Sequence, residues 1–382
     1  MGACVALVAC GRISFESAAA DATDVDAVVS ADGWSRIFAG DHTTCGIYKD
    51  RGYCWGRGTN DEIGDGAGLD RASPTPIALP PGKVREIVQG EGHGCAILED
   101  TAYCWGSAPP GTGPPASTQP IAVVSLPSPV TALSAGAGHT CANGDVYCWG
   151  DDNAGCLGNG AIGPTTTPMR VTLPDSVTSM DTGNDHTFVM LANGTVMAWG
   201  HNDFGVFGTG STSPAESQSP VTSSLVTGRP SVGGWHACAV VPGGTVQCWG
   251  RGTMGELGDG LSTSSASPVS VTGLANVDDV HVGGGPSNQD ATCAIVAGAV
   301  SCWGNGDFGR LGNNATTSSP IPVPVQGLPD DIVELALGYT YSCARSADGT
   351  ARCWGRGSLG QLGDGRAADS MAPVIVPPPD GD

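Results

Sequence analysis

Residues 236–250 read HACAVVPGGTVQCWG, and HTFVMLANGTVMAWG stands at 186–200. Both begin with His and end in Trp-Gly, but Cys238 and Cys248 of the later copy are Phe188 and Ala198 in the earlier one. Trp-Gly recurs at Trp55, Trp105, Trp149, Trp199, Trp249, Trp303 and Trp354, with spacings of 50, 44, 50, 50, 54 and 51 residues. A period near 50 over most of a 382-residue chain marks a repeat architecture. Length alone would favour two or three domains, but an array without a linker break reads as one.

Each unit has an apolar segment ending near Gly, as in VREIVQG (84–90), then a strand, HGCAIL (93–98), a turn, and a second strand, TAYCWG (101–106). A glycine-rich loop and an extended Ser-Pro stretch such as SPVSVTGL (267–274) follow. Short apolar and β-branched runs bounded by Gly, Pro, Asn and Asp, with no helical periodicity, are strands joined by turns. Sixty glycines and 28 prolines agree. About four strands per unit predict an all-β, seven-bladed β-propeller, with a solenoid as the competing architecture. Val25–Val29 and Ala372–Val376 both read as outer strands, and one of them is expected to close the ring by pairing the chain ends.

Twelve of the 15 cysteines form within-repeat pairs: Cys45 with Cys54, Cys95 with Cys104, Cys141 with Cys148, Cys238 with Cys248, Cys293 with Cys302, and Cys343 with Cys353. Each pair flanks the turn between the central strands. A separation of nine fits a two-residue turn, such as Glu99-Asp100, and a separation of ten fits a three-residue turn ending in Gly, here Gly244 and Gly349. The cysteine-free copy obeys the same rule with Gly194. Cys141 and Cys148 need a four-residue turn, Asn143 to Val146. In these registers the cysteines face each other closely enough for disulfides. Joint loss in one copy follows, because a bridge works only as a pair; Phe188 and Ala198 form a large–small packed pair instead. Reduced core cysteines are the plainer alternative.

Six bridges belong to an oxidising compartment. The start, MGACVALVACGR, carries Leu7-Val8-Ala9-Cys10, which resembles a bacterial lipoprotein lipobox with Cys10 as the lipidated residue. Residues 1–10 are thus expected to be a partial signal, 11–30 an acidic tether and 31–382 the propeller. Contact with a membrane is expected only through that lipid, and Cys156 is left free in a loop.

The string His-Thr-Cys-Ala…Gly-x-Val-x-Cys-Trp-Gly and the loops RGTNDEIGDG (57–66), DDNAGCLGNG (151–160), HNDFGVFGTG (201–210), RGTMGELGDG (251–260), NGDFGRLGNN (305–314) and RGSLGQLGDG (356–365) resemble the regulator of chromosome condensation repeat family. The resemblance covers 34–376 and implies a seven-bladed propeller. Repeat two departs from it, with SAPPGTGPPAS at 107–117 in place of the loop. The family's chromatin-bound member is a guanine-nucleotide exchange factor that docks through basic elements. A net charge of −21 and a pI near 4.4 oppose nucleic-acid binding and make nucleotide exchange on chromatin a poor fit. Secreted bacterial propellers, including a β-lactamase inhibitor, are the more similar branch and imply a protein-binding face.

The sequence holds no P-loop, G-x-S-x-G or H-E-x-x-H motif, so no catalytic, cofactor-binding or metal-binding residue is assigned. His42, His93, His139, His186 and His236 recur before the cysteine position, with Asp290 and Tyr341 standing in later. They read as strand-edge histidines bonded to backbone rather than a metal ring. Asp61-Glu62 and Asp151-Asp152-Asn153 read as solvated turns rather than calcium loops. Two departures from the repeat are candidate binding loops: 107–117, with Pro109, Pro110, Pro114 and Pro115, and 283–292, with Pro286, Asn288, Gln289 and Asp290. The expected function is a non-catalytic, anchored extracytoplasmic protein-binding module whose acidity favours a basic partner. The alternatives are a propeller lyase or glycan hydrolase with an axial site, and a secreted enzyme inhibitor.

Overall fold

The structure is a computed structural model that describes residues 13–14, 33–107, 117–142, 144–285 and 290–379. The lipobox, Cys10, the acidic tether and Val25–Val29 lie outside the described residues, apart from the two-residue strand Ile13–Ser14, which pairs with Ser179 and Met180.

Seven antiparallel sheets of consecutive strands make the seven blades, spanning 36–76, 84–122, 133–170, 177–222, 230–270, 279–324 and 332–376. Blade five shows the plan: inner strand Pro230–Val232, then His236–Val241, Thr245–Gly250 and outer strand Ser265–Ser270. The four main strands of every blade are consecutive in sequence, and the blade-four sheet also takes Ile13–Ser14 beside its inner strand. Ser370–Val376 pairs with Ala351–Gly355 of its own repeat, which corrects the expected closure by a shared strand. Seven complete units need no donated strand. Individual hydrogen bonds join the ends instead: Trp34 N donates to Gly349 O (2.8 Å), Thr44 Oγ1 to Gln361 O (2.7 Å) and Tyr341 Oη to Thr43 O (2.8 Å).

The tryptophans stitch neighbouring blades. Trp105 Nε1 donates to Glu62 O, Trp199 to Cys156 O, Trp249 to Val206 O, Trp303 to Glu256 O, Trp354 to Arg310 O and Trp55 to Gln361 O, at 2.6–3.1 Å. Each acceptor lies in the glycine loop of the preceding blade, so the loops signal inter-blade contact. Trp149 is the exception, with no Nε1 partner among the described residues. It follows the repeat whose loop is replaced by 107–117.

The inner strands use polar side chains for the same purpose. Glu86 accepts from Leu133 N (3.0 Å), Asp181 from Val232 N (2.9 Å), Ser231 from Val282 N (3.0 Å) and Glu334 from Ile37 N (3.2 Å). These acceptors satisfy edge donors that would otherwise be buried unpaired. Around the axis, a Cβ on Gly90, Gly136, Gly183 or Gly338 would lie 2.2–2.5 Å from the carbonyl oxygen of the next blade's glycine. That approach is why the first segment of each repeat ends in Gly.

All six hairpin disulfides form as the spacing requires. Cys45 is bonded to Cys54, Cys95 to Cys104, Cys141 to Cys148, Cys238 to Cys248, Cys293 to Cys302, and Cys343 to Cys353, with Cα–Cα distances of 4.0–4.1 Å. In every case the two cysteines are direct cross-strand partners, so the alternative of reduced core thiols does not hold for these twelve. Phe188 faces Ala198 at the equivalent register in blade four, and both are fully buried. Cys156 is unpaired and buried. Its Sγ donates to Asp151 O (3.2 Å), and burial raises its pKa, so it is an inert core thiol.

Candidate functional site: the channel mouth

Both the turns after the inner strands and the glycine loops open on one face, around the axis. The hairpin turns occupy the other face.

Just inside that face, a repeated chain of hydrogen bonds explains the histidines. His93, His139 and His236 place Nε2 2.7–2.9 Å from the hydroxyls of Thr140, Thr187 and Thr292 in the next blade. Thr187 and Thr292 also donate to Cys156 O and Glu256 O, the carbonyls already used by Trp199 and Trp303. A hydroxyl that donates to a carbonyl accepts from the ring, so Nε2 carries the proton in these two blades. The partner is therefore a threonine of the adjoining blade, not the backbone that the sequence suggests. The register also corrects the series. Thr43 and Ala291 hold the histidine position in blades one and six, whereas His42 and Asp290 sit one residue earlier. Burial lowers the histidine pKa values, to about 4 for His93 and about 3 for His139 and His186, keeping them neutral.

The residue after each Trp-Gly donates its N–H to the carbonyl of the residue before the histidine position. The seven pairs are His42 with Arg57, Gly92 with Ser107, Gly138 with Asp151, Asp185 with His201, Trp235 with Arg251, Asp290 with Asn305, and Thr340 with Arg356, at 2.8–3.0 Å. The backbone is seven-fold regular while the side chains differ at nearly every place. Scaffold positions repeat, whereas mouth side chains vary, with only Arg (Arg57, Arg251, Arg356), Gly (Gly92, Gly138) and Asp (Asp185, Asp290) recurring at one place. This is the residue set that sequence reading missed, although aligning the repeats on Trp-Gly would have exposed it.

The mouth is chemically lopsided. Over blades two to four, Glu91, Ser107, Asp151, Asn153, Asn184 and Asp185 line a cleft of about 350 Å³. At its edge, Arg57 is engaged by the Glu62 carboxylate, by Asp41 (3.8 Å) and by Glu91 O. Burial raises the Asp41 carboxyl to about 7, against the pull of Arg57, and also raises Asp185. Burial, with Arg57 and Arg356 nearby, lowers His42 to about 4. Next to the cleft, beyond Asp185, Trp235 packs edge-on to His201 and Phe204, and further round Arg356 lies over Phe308 (5.2 Å).

Of the candidate loop residues, Pro109, Pro110, Pro114, Pro115, Pro286, Asn288 and Gln289 lie outside the described residues. Asp290 is 0% exposed, so it is no surface contact. Its carboxylate accepts from Trp235 N (3.1 Å) and faces Arg251 (3.3 Å) and His236 (3.4 Å), which compensates its burial. Glu62 and Asp152 are likewise buried rather than solvated. Glu62 accepts from Asn60 N, and Asp152 from Leu157 N and Gly163 N, so both organise their own loops. Among the described residues no three His, Cys, Asp or Glu side chains converge to hold a metal ion, and no helix is long and apolar enough to cross a membrane.

Comparisons of sequence agree with the repeat plan. A model for the regulator of chromosome condensation (RCC1) repeat matches residues 143–190 and 297–345, and a second with the same description matches 177–206 and 332–361. Residues 143–206 and 297–361 carry RCC1 repeats. Human E3 ubiquitin-protein ligase HERC2 is 33% identical over 114 residues, covering 28% of this chain and 2% of the ligase. Ultraviolet-B receptor UVR8 of Arabidopsis thaliana is 37% identical over 78 residues, covering 20% of this chain and 18% of the receptor. Both matches span a small part of those relatives. Among solved structures, Prp20p of Saccharomyces cerevisiae, described with its binding to Gsp1p and histones, superposes with a TM-score of 0.75 at 21% identity, over 91% of this chain and 87% of that one. That likeness is one of fold.

Proposed function

We propose that this RCC1-repeat propeller is a non-catalytic, extracytoplasmic protein-binding module that receives a basic partner at the channel mouth. The observation that carries the reading is the contrast between regular backbone and varied side chains at the seven mouth pairs. Most other recurrent polar groups stitch blades, and of the mouth pairs Arg251, Asp290, Asn305 and Thr340 are buried, which leaves Ser107, Asp151, Asp185, His201, Trp235 and Arg356 among the side chains placed to specify a ligand. An overall charge of −21 favours cationic partners and speeds their encounter. Prp20p is described as binding histones, a precedent for a basic protein on this fold. Six disulfides fit an oxidising compartment, and the lipobox-like Leu7–Cys10 supplies an anchor at Cys10.

The test is affinity capture from an extracytoplasmic extract with oxidised protein, repeated with mouth and hairpin-face variants. Capture that weakens with salt and with mouth substitutions supports the reading; capture indifferent to both contradicts it. An axial lyase or glycan hydrolase is the second reading, favoured by the raised pKa values of Asp41 and Asp185, each of which feels the Glu91 charge. Turnover of a glycan that disappears in Asp185→Asn would establish it.

A further inference from the structure

Resting on that binding reading, we propose that the cleft over blades two to four is a receptor for one arginine or lysine side chain of a polypeptide, held together with a backbone carbonyl next to it. The cleft exists because side chains are missing. Blades two and three have Gly92 and Gly138 where the others carry His42, Asp185, Trp235, Asp290 and Thr340. A Cβ on Gly138 would lie 2.7 Å from Asp151 Oδ2, and one on Gly92 would lie 2.8 Å from Ser107 Oγ. Glycine therefore keeps the floor open and the Asp151 carboxylate free to face a guest.

The lining sets the charge of that guest. Glu91, Asp151 and Asp185 contribute three carboxylates, and the cation at the edge, Arg57, is already engaged by Glu62 and Asp41. A guanidinium or ammonium supplies the missing opposite charge. Burial raises the Asp185 carboxyl pKa, so a cation beside it also offsets lost hydration.

Asn184 adds an independent requirement. It is 6% exposed, lines the cleft, and its Nδ2 has no acceptor among the described residues. A buried donor without a partner is costly, and a cation cannot accept its hydrogen. The group that bears the cation must bring an acceptor, as a peptide carbonyl does.

The experiment titrates the oxidised full chain, followed by NMR, with acetyl-Gly-Arg-Gly-amide, its lysine counterpart and its citrulline counterpart, which keeps the arginine shape without the charge. The cationic peptides are expected to bind at least ~10-fold more tightly than the citrulline peptide. Asp151→Asn with Asp185→Asn should weaken cationic binding ~10-fold, and Asn184→Ala should weaken all the peptides alike. Asp145→Asn, an exposed acid on the hairpin face, should leave binding unchanged. Thermal unfolding of each variant separates lost binding from lost fold. Equal binding of arginine and citrulline peptides, or equal loss in Asp145→Asn, would overturn the proposal. A captured protein partner that still binds the double variant at the mouth would overturn it while leaving the broader reading intact. Peptide binding without any protein partner at the mouth would do the reverse.

Discussion

The boundary between blades five and six and that between blades four and five follow one plan but differ in two details. At the first, His236 reaches Thr292, Thr292 and Trp303 share Glu256 O, and the Cys238–Cys248 bridge lies beneath. At the second, Trp249 still donates to Val206 O, but Ala237 stands where the threonine would be. Both ring nitrogens of His186 are without partners among the described residues, and Phe188 against Ala198 replaces the bridge. The tryptophan–carbonyl bond and the glycine ring persist at both boundaries, so they define the fold. Disulfide and threonine reinforce it.

The largest expected effect is at the disulfide. Cys238→Ala with Cys248→Ala should cost about 3 kcal/mol on the loop-entropy model, read by denaturant unfolding. Phe188→Cys with Ala198→Cys should install a seventh bridge, detected by non-reducing peptide mapping, whereas either change alone should add only a titratable thiol. A linkage between blades in that map would break the comparison.

Next comes an inner-strand stitch. Burial raises the Glu86 carboxyl to about 7 from an ordinary 4.5. The folded state then holds a proton that the unfolded chain gives up, so this group's stabilising share is present at low pH and is lost as pH rises through about 7. Glu86→Gln keeps an acceptor for Leu133 N but does not titrate. It should raise stability by about 2–3 kcal/mol near pH ~8.5 and by little near pH ~4.5.

Thr292→Val removes the shared hydroxyl of the complete boundary and leaves His236 Nε2 buried without that partner. About 1–3 kcal/mol should be lost. Ala237→Thr is the smallest change and the most discriminating, because it supplies the missing hydroxyl between His186 and Val206 O. A gain of about 1 kcal/mol is expected, whereas destabilisation would show that blade four has packed around the gap.

The repeat period made blade number and strand order legible, and cysteine spacing made the pairings legible, because hairpin register depends on local turn geometry. Closure was not legible, since Trp34, Thr44 and Tyr341 act across about 300 residues of sequence. The histidines were misread for a related reason. Their partner is a threonine in another blade, and His42 and Asp290 were grouped with residues two before a cysteine although they stand three before theirs, one residue out of register. The site was half legible: broken repeats drew attention to loops, whereas the varied ring lies inside repeats that look regular. Asp290 shows the hazard, since a polar residue in an irregular loop proved to be a core acceptor.

The most direct test of the channel mouth as the binding surface is hydrogen–deuterium exchange on the oxidised protein, with and without a basic partner purified by capture on it. Protection is expected on the turns at 41–42, 91–92, 137–138 and 184–185 and on the residues after Trp-Gly, with the hairpin turns unchanged. Protection confined to the hairpin turns or the outer strands would contradict it.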